Sequence, residues 1–101
     1  MQSILHEFNN FSIVEIISDY MVINKLQDAL DIMADNFFQG INKIVLYEKN
    51  INPDFFDLKT GLAGDILQKF STYNVQLAII GDFTKYNSKS LKDFILSIFI
   101  V

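Results

Sequence analysis

The chain has no arginine and no cysteine, and only one histidine and one proline among its 101 residues. Without cysteine there is no disulfide framework, no thiolate zinc site and no thiol nucleophile. The single histidine, His6, excludes a histidine metal cluster. Missing arginine removes the planar fork that recognises carboxylate or phosphate bidentately, so an anion site has to be built from lysine or backbone N–H groups. Eight lysines against twelve acids leave a formal net charge of −4, which opposes binding to a phosphate backbone and argues against a nucleic-acid partner. No apolar run reaches the length of a membrane span, and Met1-Gln2-Ser3-Ile4 carries neither a basic leader nor a long apolar region. The expectation is a soluble, cytoplasmic protein with no membrane partner.

What the chain does have is core material. Half of its residues are hydrophobic, including ten Phe and four Tyr, enough for one domain spanning residues 1–101. Ser3 to Phe8 and Phe11 to Ile17 are β-rich runs separated by Asn9-Asn10, residues that tolerate left-handed turns, so they predict a hairpin. Asn24 is the expected N-cap of a helix to about Gln39, with Leu26, Ala29, Leu30, Met33 and Phe37 on its buried face and Gly40 ending it. Lys25, Asp28, Asp31 and Asp35 line the opposite face and read as a solvated surface rather than a metal site, because magnesium or calcium needs converging oxygens.

Ile44 to Glu48 is the next strand, followed by a loop turned by Pro53. A second helix through Phe70 or Tyr73 is expected to bury Leu58, Leu62, Leu67 and Phe70, with Ala63 and Gly64 letting it lie close to the sheet. Val75 to Ile80 is apolar enough to predict a strand covered on both faces. Asn87 or Ser88 then caps a last helix from about Lys89 or Ser90. The order ββαβαβα implies an α/β layered domain with a mixed sheet of four to five strands and right-handed crossovers. Phe94 to Val101 is almost wholly apolar. It docks in its own core, forms a terminal strand, or contacts another chain, and the last option makes a homo-oligomer a candidate state.

The chemistry-bearing stretch is Asp54-Phe55-Phe56-Asp57-Leu58-Lys59-Thr60-Gly61-Leu62-Ala63-Gly64, where a polar turn opens the second helix. Free N–H groups of a first helical turn meet two carboxylates, a lysine and a hydroxyl there. As an enzyme site it would use Asp57 and Asp54 as acid and base, Thr60 as nucleophile and Lys59 as stabiliser. Yet a hydroxyl nucleophile needs a neighbouring base oriented by a third group, and His6 lies on the first hairpin. The glycine spacing fits neither a dinucleotide fingerprint nor a P-loop, so no catalytic residue, metal or cofactor is assigned. Two further readings remain: Asp54 and Asp57 as caps, and Thr60 as a modifiable hydroxyl whose phosphate would add about two negative charges to a contact surface. Asp82, Lys85 and Lys89 follow the next strand and are expected to line the same crevice as Asp54.

The stretch Asn52 to Gly64, continued by Ile66 to Phe70, Leu77 to Phe83 and Ser88 to Phe94, with Gln27 to Asp31, resembles the bacterial domain-of-unknown-function family 4180 from about Phe11 to Phe94. That family implies no activity. Its members usually continue past the last helix with another strand and helix, so this chain looks shortened at its C-terminus. More distantly, the element order and the Thr60-Gly61-Leu62 placement resemble the domain shared by sulfate transporters and anti-sigma-factor antagonists. That resemblance implies a phosphorylatable Ser or Thr before a helix-opening glycine, and a kinase or transporter partner. Here Asp57 stands three residues before the hydroxyl, one further than usual, and Lys59 replaces a small residue. The function these signals imply is a non-enzymatic regulatory or protein-interaction module working through Asp57, Lys59, Thr60 and Gly61. A small hydrolase or ligand-binding protein and a structural homo-oligomer are the alternatives.

Overall fold

Runs of β-branched and aliphatic residues build the sheet, and burial alternates with period two along its inner strands. A computed structural model of the chain describes residues 1–81 and 98–100, and the expected last helix lies outside them, as do Asp82, Lys85 and Lys89. Strand β1 (Gln2–Glu7) pairs antiparallel with β2 (Ser12–Ile17), in a register that sets Gln2 against Ile17 and Glu7 against Ser12. The hairpin closes with the Phe8 N–H on the Phe11 carbonyl at 2.9 Å. Neither Asn9 nor Asn10 takes a positive φ, so the expected left-handed turn is not used.

Helix α1 (Leu26–Phe37) carries the chain from β2 to the parallel strand β3 (Lys43–Tyr47), and α2 (Leu62–Thr72) carries it from β3 to the parallel strand β4 (Gln76–Ile80). Strand β5 (Ile98–Ile100) pairs antiparallel with β4, giving a five-stranded mixed sheet in the order β1-β2-β3-β4-β5. Within the apolar C-terminal run, Ile98–Ile100 thus takes the terminal-strand option. Both crossovers step in the same direction across the sheet, so right-handedness puts both helices on one face.

That placement corrects the expectation for β4. Leu77 and Ile79 are buried while Ala78 and Ile80 are only half-buried, the pattern of a strand with one face under the helices. The core lies between the layers: Val14, Ile16, Ile44, Leu46, Leu77 and Ile79 from the sheet meet Ala29, Ile32, Met33, Ile66 and Phe70 from the helices. Full burial of a side chain such as Phe70 contributes about 1.5–3 kcal/mol.

The helices differ from expectation at particular residues. In α1 the buried face is Ala29, Ile32, Met33 and Asn36, and Phe37 is exposed. Asn36 is tolerated inside because its amide donates to the Ile32 carbonyl at 2.8 Å. Lys25 rather than Asn24 stands at the N-cap, and the Asp28 carboxylate reaches back to the N–H groups of Asn24 and Lys25 at 2.9 and 3.1 Å. In α2, Ile66 and Phe70 are the buried residues, Leu62, Ala63 and Leu67 pack part-buried against the core, and Leu58 is exposed.

Both helices end on the same device. The Ile41 N–H bonds the Asn36 carbonyl at 2.9 Å across a left-handed Gly40, and the Val75 N–H bonds the Phe70 carbonyl at 2.8 Å across a left-handed Asn74. Gly64 does not serve close packing, since a Cβ there would meet nothing within 4 Å. Gly81 does: a Cβ on it would lie 2.4 Å from the Glu48 Cβ.

Candidate functional site

The loop between β3 and α2 is built from three short 3-10 turns, Glu48–Asn50, Pro53–Phe56 and Leu58–Thr60. Each has a local reason. Pro53 opens the second turn with its fixed φ, and the Asn52 side chain accepts the Asp54 N–H at 2.9 Å. Phe55 and Phe56 turn inward, packed edge to face with centroids 5.0 Å apart, and anchor the loop to the core.

Asp57 caps the third turn, its carboxylate accepting the Lys59 N–H at 3.1 Å. It therefore does not cap α2, as one of the sequence readings had it. Gly61 holds that position, at φ +75°, a left-handed conformation that costs an L-residue roughly 1–2 kcal/mol.

Thr60 ties these turns together. Its hydroxyl lies 2.6 Å from the Asp54 carbonyl and 2.9 Å from the Asp57 carbonyl, and accepts the Leu62 N–H at 3.3 Å. A hydroxyl has one proton, so the two carbonyls share it. The structure thus brings Asp54, Asp57, Thr60 and Gly61 into one knot, but through backbone groups rather than through the carboxylates. Asp54, Asp57, Lys59, Thr60 and Gly61 are all exposed. A nucleophile would need its proton held by a base; here backbone carbonyls hold it.

The loop is anchored from below by a polar cluster that sequence reasoning did not single out. Asn50, only 1% exposed, donates its side-chain amide to the carbonyls of Ser18 and Tyr20 at 2.8 and 2.9 Å, and its main-chain carbonyl accepts the N–H groups of Val22 and Ile23. Asn52 adds bonds from its N–H to the Ile23 carbonyl at 2.7 Å and from its amide to Asn24 at 3.0 Å. These bonds clasp the connection after β2 to the connection after β3, at the carboxyl ends of parallel strands, where α/β sheets usually place their sites. A run of asparagines in two loops was the available signal, but its partners depend on which loops become neighbours.

A second constellation lies on the sheet face away from the helices. The Tyr47 hydroxyl donates to the Glu15 carboxylate, and His6 Nε2 stands 2.9 Å from the other carboxylate oxygen. The Tyr47 bond, and then the His6 bond, hold the Glu15 carboxyl below the usual carboxylate range, while the same Glu15 bond pushes the Tyr47 phenol above its usual value. Tyr47 is thereby kept a donor and Glu15 an acceptor. The period-two pattern puts these residues on one face, yet only the β1–β2–β3 register brings them within reach. Among the described residues no three of His, Cys, Asp or Glu gather as a metal site, and no helix is long and apolar enough to cross a membrane.

With this geometry in place, comparison with known proteins gives one match. The chain matches, over residues 8–98, the family described as a domain of unknown function (DUF4180), and it belongs to that family. No curated protein and no solved structure matches it.

Proposed function

We propose, starting from membership in this family, that the chain is a non-enzymatic protein-interaction module, cytoplasmic, with the Thr60 opening of α2 as its contact or switch point. One observation carries the reading: Thr60 is exposed at the mouth of α2 while its hydroxyl is spent on backbone groups of its own loop. A loop so cross-tied presents Asp57, Lys59 and Thr60 in a preorganised surface, which lowers the ordering cost of docking a partner. It also favours contact over hydrolysis.

Modification of Thr60 would act twice. A phosphate would remove the proton shared by the Asp54 and Asp57 carbonyls and add about two negative charges beside two existing carboxylates, with Lys59 as the nearest counter-charge in sequence. The antiparallel β1–β2 hairpin, the parallel β2–β3–β4 run with both helices on one face, and a hydroxyl-glycine pair at the start of α2 support an arrangement like that of the anti-sigma-factor antagonists.

The test is quantitative co-purification of partners from cells producing the tagged full chain, as wild type, Thr60→Ala and Thr60→Glu, each checked for the wild-type melting profile. At least one partner is expected to change tenfold or more with Thr60→Glu. Identical partner recovery by all three folded forms refutes the reading.

A further inference from the structure

We infer that the end of the molecule opposite Thr60 is a self-association surface, on which Phe38 of one copy packs against the aromatic rings beside a hollow of a second copy and receives the same contact in return. The α2 axis separates this end from the Thr60 opening by about 16 Å, so the inference stands apart from the functional proposal.

Three features carry it. First, five aromatic residues are exposed together where the hairpin turn and both helix C-termini converge. Phe38 is 87% exposed, and Phe8, Phe11, Phe37 and Tyr73 lie between 42% and 55%. Phe8 stacks on Phe11 at 4.8 Å, and Phe37 meets both Phe38 and Tyr73 edge to face at 6.4 and 6.3 Å. At roughly 200 Å² per ring this is about 600 Å² of aromatic surface per copy, at the upper limit for a monomer's largest patch. Covered on two copies it comes to about 1,200 Å², the lower bound of a standard specific interface.

Second, the surface is self-complementary in shape. A hollow of about 810 Å³ is lined by Phe8, Phe11, Phe37 and Tyr73, between polar walls that include four asparagines. Phe38 is not one of its walls; it stands on the far side of the ridge that Phe37 and Tyr73 form, beside the groove between α1 and α2. A two-fold axis through that ridge sets the Phe38 knob of each copy over the hollow of the other, the isologous arrangement that closes a dimer.

Third, the charges select a second copy. None of the residues lining the hollow is acidic, in a chain with twelve acids and a net charge of −4, and the groove beside Phe38 carries one acid and one lysine, Asp31 and Lys69, so like-charge repulsion between copies is low where the knob enters. The one cation lining the hollow, Lys43, is held by Gln76 Oε1 at 2.6 Å and lies over the Phe11 ring at 5.8 Å. A single lysine in a chain of net charge −4 is too weak a positive field to hold a nucleic acid or an anionic membrane.

Sedimentation velocity of the full chain over a concentration series tests this, with Phe38→Ser as the knob variant and Leu5→Ser, on the exposed edge strand β1, as the comparison. Both positions are exposed, and an unchanged far-UV circular dichroism spectrum confirms folding. Wild type and Leu5→Ser are expected at twice the chain mass at tens of micromolar, with self-association weakened at least tenfold in Phe38→Ser. In a mixed sample of labelled and unlabelled wild type, ring-proton contacts are expected between Phe38 of one copy and Phe11 of the other. A wild type that stays monomeric to several hundred micromolar overturns the inference. So does a dimer lost in Leu5→Ser but kept in Phe38→Ser, which would place the contact on the β1 edge. A monomer that binds a different protein through Phe38 overturns it too.

Discussion

Replacing Gly81 by alanine is the sharpest probe of how the edge of the sheet is packed. The added Cβ would sit 2.4 Å from the Glu48 Cβ and 3.2 Å from its Cγ, with the Glu48 Cα at 3.6 Å. Carbon atoms rest at about 3.5–4.0 Å, so more than 1 Å of separation has to be found. A flexible side-chain end would yield cheaply, but a Cβ moves only with its backbone. Glu48 opens the 3-10 turn after β3, so β3 and β4 would be forced apart where each strand ends. Overpacking of this kind costs about 1–3 kcal/mol, which for a domain of this size is a fall of roughly 5–20 °C in melting temperature.

The matched comparison is Gly64→Ala, where the new Cβ meets nothing within 4 Å in a helix and removal of glycine stabilises by up to about 1 kcal/mol. Urea titrations of both variants measure the two effects with opposite sign at an unchanged slope. Placing Gly81→Ala on a Glu48→Gly background removes the clashing atom, and the cost of the alanine is then expected to shrink by most of its value. A neutral Gly81→Ala, or equal costs on both backgrounds, would refute the close-approach argument.

Two further outcomes follow from polar contacts. Tyr47→Phe removes the main cause of the lowered Glu15 pKa, so a carboxyl-carbon titration by NMR is expected to show Glu15 moving up toward the ordinary range near pH 4; an unmoved titration would refute the assignment. In the wild type the sign runs both ways. The depressed Glu15 pKa contributes stability that is lost as pH falls below the usual glutamate range, and the raised Tyr47 pKa contributes stability that is lost as pH rises above about 10. Tyr47→Phe should therefore flatten both limbs of the stability profile. Asn50→Ala strips the donors from the Ser18 and Tyr20 carbonyls and is expected to cost about 1–3 kcal/mol by chemical denaturation, while a loss under 0.5 kcal/mol would show that the clasp carries no stability.

The extent to which this was legible beforehand divides by the range of the interactions involved. Strand positions follow from short β-rich apolar runs, and helix positions from periodicity, since an amphipathic helix repeats its apolar residues every three or four positions. Leu26, Ala29, Leu30 and Met33 were placed on the packed side of α1 on that ground, and they pack there. The same periodicity assigned Phe37 wrongly, because it is the last residue of the helix and meets Phe38 and Tyr73 at the exposed helix ends. The Thr60 opening was visible as a cluster of turn residues before an apolar run. Which group capped what was not, since Asp57 and Gly61 divide between a 3-10 turn and a helix that only the folded backbone separates.

By itself the amino-acid sequence determined the α/β class, the family, the exclusion of cysteine chemistry and of histidine-cluster metal sites, and the location of the candidate loop, all of which rest on residue types and short-range spacing. Tertiary structure decided that both helices share one sheet face, that Gly81 rather than Gly64 is the close-approach glycine, that Asn50 clasps two loops, and that His6, Glu15 and Tyr47 meet. It also gathered five aromatics from the hairpin and two helix ends into one exposed surface. The physical reason is the same in each case: these contacts join residues far apart in the chain, whose separation is set by strand register and crossover direction and is not encoded in any local pattern.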